Sequence, residues 1–150
     1  MSSAEAFSYR RDPAVPAFAD DKAIVIFDGK CVMCSHFAQT IIRRDRARRF
    51  RLLAAQSTLG GALYRHYGLH PVAYETNVLI EDGRAWFKSE ASIRILSRLG
   101  LPWSIAVVGR VLPLGLRDRM YDIVARNRFR WFGAREVCYA PRAEDADRLL

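Results

Sequence analysis

The run Ala23-Ile24-Val25-Ile26-Phe27 holds no polar side chain and is followed at once by Asp28-Gly29, so the chain must provide a site where a short strand is covered on both faces. Strands of that kind lie inside a sheet flanked by helices, and the neighbouring sequence supplies candidates for both. From Cys34 onward the apolar residues Phe37, Ala38, Ile41 and Ile42 recur at intervals of three and four, which predicts a helix running to about Arg46. Its last turn is rich in arginine, the charge favoured by the negative end of a helix dipole. Phe50 to Ala54 predicts a second strand and about Ser57 to Tyr67 a second helix. Short strands alternating with helices indicate a parallel α/β unit.

The chain then changes character. Asn77 to Ile80 and Ala85 to Phe87 are β-prone runs around Glu81-Asp82-Gly83-Arg84, and Asp-Gly between two such runs is a hairpin signal. Ser89 to Leu99 predicts a helix with Ser89 as its cap and Ala91, Ile95, Leu96 and Leu99 facing inward. The order strand, helix, strand, helix, hairpin, helix is that of a small thioredoxin-like core, an α/β fold with a mixed four-stranded sheet and flanking helices. Two more helical stretches follow, Trp103 to Leu112 and about Leu116 to Asn127, separated by Pro113-Leu114-Gly115. Met120, Ile123 and Val124 share one face of the second, so the pair is expected to pack on the core as an extra layer. The domain plan is then a flexible or surface-draped leader over residues 1–21, a domain over 22–139 and a tail over 140–150.

A hydrophobic fraction of 51% with 27% charged residues suits a globular chain rather than a disordered one. The N-terminus has no apolar stretch of signal-peptide length, which predicts a cytoplasmic protein. The most apolar segment, Leu99 to Leu116, is interrupted by Pro102, Arg110 and Pro113, so no transmembrane span is expected. The net charge of +8 raises the question of a polyanion partner. Arginine outnumbers lysine 21 to 3, and no recognition module accompanies the charge, so nucleic-acid binding is not expected. Composition leaves the oligomeric state open.

Three cysteines do not make a disulfide framework; a close pair, Cys31 and Cys34, and a distant Cys138 point instead to reactive or metal-binding thiols. A CxxC that follows a buried strand and opens a helix has a definite use. Backbone N–H groups and the positive helix end stabilise a thiolate on Cys31, and Cys34 lies one turn on, where it can attack a mixed disulfide formed at Cys31. Asp28 is placed either to exchange a proton with one of these thiols or to cap the turn by accepting backbone hydrogen bonds. The competing reading is a non-enzymatic zinc or scaffold module using Cys31, Cys34, Cys138 and one of His36, His66 or His70, although neither a second CxxC nor a paired-His spacing is present. The blandest alternative leaves the two cysteines buried and inert. Haem attachment fails because Ser35 follows the second cysteine, and a phosphatase built on IVIFDG fails because Ile26 stands where its nucleophilic aspartate belongs. No cofactor is expected. The three histidines read as surface residues, and Cys138 as a core thiol, a third redox partner or a residue packing the tail near the site.

Asp28-Gly29-Lys30-Cys31-Val32-Met33-Cys34 resembles the Asp-Gly-x-Cys-x-x-Cys signature of the DCC family of thiol-disulfide oxidoreductases. The likeness extends from about Ile24 to Cys138. It takes in Asp45 after the arginine-rich helix end, Ala55-Gln56-Ser57, Ser89-Glu90-Ala91, Leu101-Pro102-Trp103, and Tyr121 to Arg128 followed by Gly133 and Cys138. The resemblance implies a thioredoxin-like fold and thiol–disulfide exchange with protein or small-molecule thiols, with Asp28, Cys31 and Cys34 as the matching active residues. One departure stands out: thioredoxins place a cis-proline before their third strand, whereas Tyr74-Glu75-Thr76-Asn77 has none. A different substrate groove and weaker exclusion of metal are the expected consequences, since a cis bond without proline costs about 3 kcal/mol.

Overall fold

The computed structural model describes residues 6–69, 77–100 and 103–134. Four strands, β1 (Ala23–Phe27), β2 (Phe50–Ala54), β3 (Val78–Glu81) and β4 (Arg84–Phe87), form one sheet in the order β2-β1-β3-β4. β1 runs parallel to β2 and antiparallel to β3, and the hairpin β3-β4 turns at Asp82-Gly83, where both residues have positive φ. The sheet is mixed, as the order of elements predicts.

β1 divides the core because its side chains alternate between the two faces of the sheet. Ile24 and Ile26 join Leu53, Leu63, Tyr64 and Ile80 on the side of α2 (Thr58–His66). Val25 and Phe27 join Ala38, Ile41, Leu52, Leu79 and Ile95 on the side of α1 (Val32–Arg44) and α3 (Lys88–Leu96). Truncating any of these fully buried aliphatics to alanine costs on the order of 2–5 kcal/mol. The segment ahead of β1 is fastened to the first core: Tyr9 is buried, Phe7 and Phe18 pack beside it, and the Phe7 N–H donates to the Gly83 carbonyl.

Several local readings change. α3 starts at Lys88, and Ser89 is not its cap. Ser89 is buried, and its N–H and Oγ both donate to Asp118 Oδ1 of the following helix, so the capping carboxylate comes from outside α3. Trp103–Val111 is a 3-10 stretch, after which α4 extends over Leu114–Phe132, well beyond the expected end at Asn127. α4 is also rotated relative to the expectation from its apolar stripe. Met120, Ile123 and Val124 are exposed, while Tyr121, Ala125 and Arg128 turn inward. The polar anchors explain this setting. Tyr121 exchanges hydrogen bonds with Asn77, Asp118 holds Ser89, and Lys88 pairs with Asp122. Leaving those groups unpaired under the helix would cost more than exposing three apolar side chains.

Glu90 ties the last elements together, accepting from Arg94 in α3, Arg110 in the 3-10 stretch and Arg117 in α4. Burial by itself would raise this carboxyl, but the Arg117 hydrogen bond and the charges of Arg110 and Arg94 outweigh it and hold it below its ordinary value.

Candidate active site

The parallel pair β1-β2 delivers two loop starts side by side. Ala55 N–H donates to the Phe27 carbonyl, which holds Asp28 next to Gln56. Asp28 is 4% exposed and its carboxylate is fully engaged. Oδ1 accepts from the Lys30 N–H at 3.0 Å and from Gln56 Nε2, and Oδ2 accepts from Arg128 Nη2 of α4 at 3.2 Å. Gln56 closes the loop by accepting from the Gly29 N–H through Oε1. The turn-capping role considered for Asp28 is therefore present as the Lys30 bond. It coexists with a buried ion pair to Arg128, which is 6% exposed and also donates to the Ala125 carbonyl.

The turn ends in a sulfur cap. Cys31 has extended backbone at the N-cap of α1, and its Sγ accepts from the Cys34 N–H at 3.4 Å. Ser35, one turn in, donates its hydroxyl to the Gly29 carbonyl and so fixes the loop against the helix. Both cysteines are free thiols; Cys31 is 0% exposed and Cys34 is half-buried. The hydrogen bond from the Cys34 thiol holds Cys31 down at about 6. Burial opposes it, the Cys34 backbone N–H and the Arg128 charge assist, and the Asp28 charge works against it. The same hydrogen bond pushes the Cys34 thiol far up, with burial and the Cys31 and Asp28 charges adding to the rise.

A second piece of backbone lies against the dithiol. At the end of α4 the chain turns at Gly133, whose φ is 92°, and runs antiparallel past Cys31. Ala134 forms a β-bridge with Cys31, and the Val32 N–H donates to the Gly133 carbonyl at 3.4 Å. Cys31 is fully buried beside this contact, and Cys34 is the more exposed residue of the pair.

The structure thus brings Asp28, Cys31 and Cys34 together and adds Gln56 and Arg128, to which no role attaches in the sequence. Arg128 is 100 positions from Asp28, too far for any local motif to join them. Of the described histidines, neither His36 nor His66 joins the thiols in a ligand group. His36 is exposed. His66, expected at the surface, is instead bridged between Ser8 Oγ (2.8 Å to Nε2) and Asp12 Oδ2 (2.7 Å to Nδ1), where it latches the N-terminal segment to the end of α2. Among the described residues no group of three or more His, Cys, Asp or Glu is arranged to hold a metal ion. His70, Cys138 and the proline-free stretch before Asn77 lie outside the described residues.

Comparison with known proteins is decisive on kinship. A family model described as DCC1-like thiol-disulfide oxidoreductase matches residues 25–134, most of the chain. The chain belongs to the DCC1-like thiol-disulfide oxidoreductase family. Two relatives bear this out. Uncharacterized protein YuxK of Bacillus subtilis (strain 168) is 34% identical over 127 residues, 85% of this chain and 93% of that protein. The chloroplastic DCC family protein At1g52590 of Arabidopsis thaliana is 35% identical over 120 residues, 79% of this chain and 70% of that one. No solved structure matches significantly. Membership in the DCC1-like family supports a general thiol–disulfide role, and the four-stranded mixed sheet with its helices is consistent with a thioredoxin-like core. Among the described residues no helix of this DCC1-like protein is long and apolar enough to cross a membrane.

Proposed function

We propose that the protein is an enzyme of dithiol–disulfide exchange in which Cys31 attacks and Cys34 resolves. The observation that carries this reading is the pairing of the two sulfurs at the start of α1, with the Cys34 N–H directed at Cys31 Sγ and the thiolate of Cys31 favoured over that of Cys34. The Cys31 thiolate forms a bond to one sulfur of a substrate disulfide while the S–S bond breaks, and the departing thiolate takes up a proton. Cys34 then gives up its proton and attacks Cys31 Sγ, expelling the second substrate thiolate. The substrate disulfide gains two electrons, and the Cys31-Cys34 pair is left as a disulfide for a second thiol to reduce.

Asp28 and Arg128 tune this step from opposite sides. Arg128 stabilises the Cys31 thiolate and Asp28 opposes it, so the ion pair moderates the thiolate rather than maximising it. Thiolate nucleophilicity falls along with pKa, and a thiol poised near ambient pH reacts fastest. A reaction in the cytoplasm with protein or small-molecule disulfides fits this poise.

The greater exposure of Cys34 supports a second order of events, in which the substrate first meets Cys34. Trapping separates the two. Cys34→Ser should accumulate a mixed disulfide on Cys31 when offered a small aromatic disulfide, seen as a mass increase on the peptide containing residue 31, whereas Cys31→Ser should trap far less on Cys34. The reverse pattern establishes the second order, and reductase activity unchanged in both variants excludes the enzyme altogether. Binding of stoichiometric zinc by protein purified without chelator, with loss of thiol titre, would establish the zinc module instead.

A further inference from the structure

We propose that the outer face of the 3-10 stretch and α4 docks on an anionic lipid bilayer. Both elements pack their inner sides against α3 and are joined through Leu112-Pro113, so their outer sides share one flank of the molecule. On the 3-10 stretch, Val108 and Val111 are 66% and 84% exposed. On α4, Leu116, Met120, Ile123 and Trp131 follow one another at intervals of four, three and eight, which sets them on a single stripe, and all are exposed. Isolated exposed apolar residues need no explanation, but a stripe continued onto a second element does.

Charge selects the occupant. Arg119, Arg126 and Arg130 are exposed along one border of that stripe, and among the described residues no carboxylate pairs with any of them. The two acids of α4, Asp118 and Asp122, face α3 and are engaged by Ser89 and Lys88. A helix lying in a bilayer interface has this layout, with aliphatic and tryptophan side chains among the acyl chains and arginines reaching sideways to phosphates. A second copy of the chain fits less well, since the acids of α4 are turned toward α3 and leave no carboxylate on this helix face to meet the arginines of another copy. Residues 135–150 carry three arginines and four acids with few large apolar side chains, a poor complement to a face that is both apolar and cationic. Nucleic acid would satisfy the arginines and leave the aliphatic stripe wet.

The test is sedimentation of the full chain with phosphatidylcholine vesicles and with vesicles that also hold phosphatidylglycerol. Binding is expected to the anionic vesicles, weakening as salt rises. Replacing Arg119, Arg126 and Arg130 together with glutamine should lower partitioning roughly a hundredfold, at roughly fivefold per arginine. Ile123→Ser with Trp131→Ser should lower it by roughly tenfold. Both variants should keep their melting temperature because every altered side chain is exposed. The proposal is overturned if folded protein stays in the supernatant at low salt, if it binds neutral vesicles equally well, if either variant binds like the parent, or if light scattering shows a dimer that these substitutions dissociate. Tight binding to an oligonucleotide that the serine variant retains, with no vesicle binding, assigns the face to nucleic acid.

Discussion

Cys31 is set by three neighbours whose effects have different signs, which makes its reactivity a sensitive readout of the site. The Cys34 hydrogen bond contributes most, so Cys34→Ala should move the alkylation midpoint of Cys31 upward from about 6 toward the ordinary thiol value. Arg128→Met should also raise it, and Asp28→Asn should lower it, followed by the rate of iodoacetamide labelling of the residue 31 peptide against pH. Because Asp28 and Arg128 are both buried, Arg128→Met additionally strands a carboxylate and should cost on the order of 3–5 kcal/mol in urea unfolding. Three of these participants can be read from the sequence, since a CxxC after an apolar strand and Asp-Gly carries its own geometry. Arg128 and Gln56 cannot, because their approach to Asp28 is made by the crossing of α4 and the pairing of β2 with β1, and neither crossing leaves a mark on local spacing.

Elements differ in how openly the sequence announces them. β1 and β2 are found at the residues expected: β1 because a five-residue apolar run has few placements other than inside a sheet, and β2 because Phe50, Leu52 and Leu53 keep a β-prone pattern around Arg51 at the sheet's edge. α4 is the opposite case. Its apolar stripe suggests an inward face, yet the rotation is decided by Asp118, Tyr121, Asp122 and Arg128, each satisfied by a partner on the core. Periodicity identifies a stripe but not the element it faces. The contact among α3, the 3-10 stretch and α4 is polar at Glu90. Its carboxyl lies below the ordinary 4.5 in the folded protein, so its ion pairs stabilise fully above that pH and are lost as pH falls through the lower folded value. Glu90→Gln should therefore lower the urea midpoint at pH 7, by about 1–2 kcal/mol in stability, and narrow the stability difference between pH 7 and pH 3.

For the molecule as a whole, both ends of the described chain are drawn toward the sheet, the N-terminal segment through Tyr9 and His66 and the C-terminal end of α4 through Arg128 and Ala134. The order of strands and helices is enough to predict a thioredoxin-like core, but neither anchoring is, because each depends on pairs far apart in sequence. The Cys31-Ala134 bridge has a kinetic meaning. The chain's own backbone acts as a tethered competitor for the backbone edge at Cys31, present at an effective concentration fixed by the short reach from Phe132 and independent of substrate supply. An incoming disulfide binds only during the fraction of time the position is vacant, and its apparent affinity falls by that fraction. Gly133→Ala places a Cβ at φ 92° in ordinary contact, its nearest neighbour among the described residues being Val32 Cγ2 at 3.9 Å, so strain falls on the turn alone. Labelling of Cys31 at pH 7 should accelerate several-fold in that variant, with its pH midpoint unmoved. The protein would then exchange faster with strong and weak partners alike, because vacating the position raises every apparent affinity by the same factor and leaves their ratios as they were.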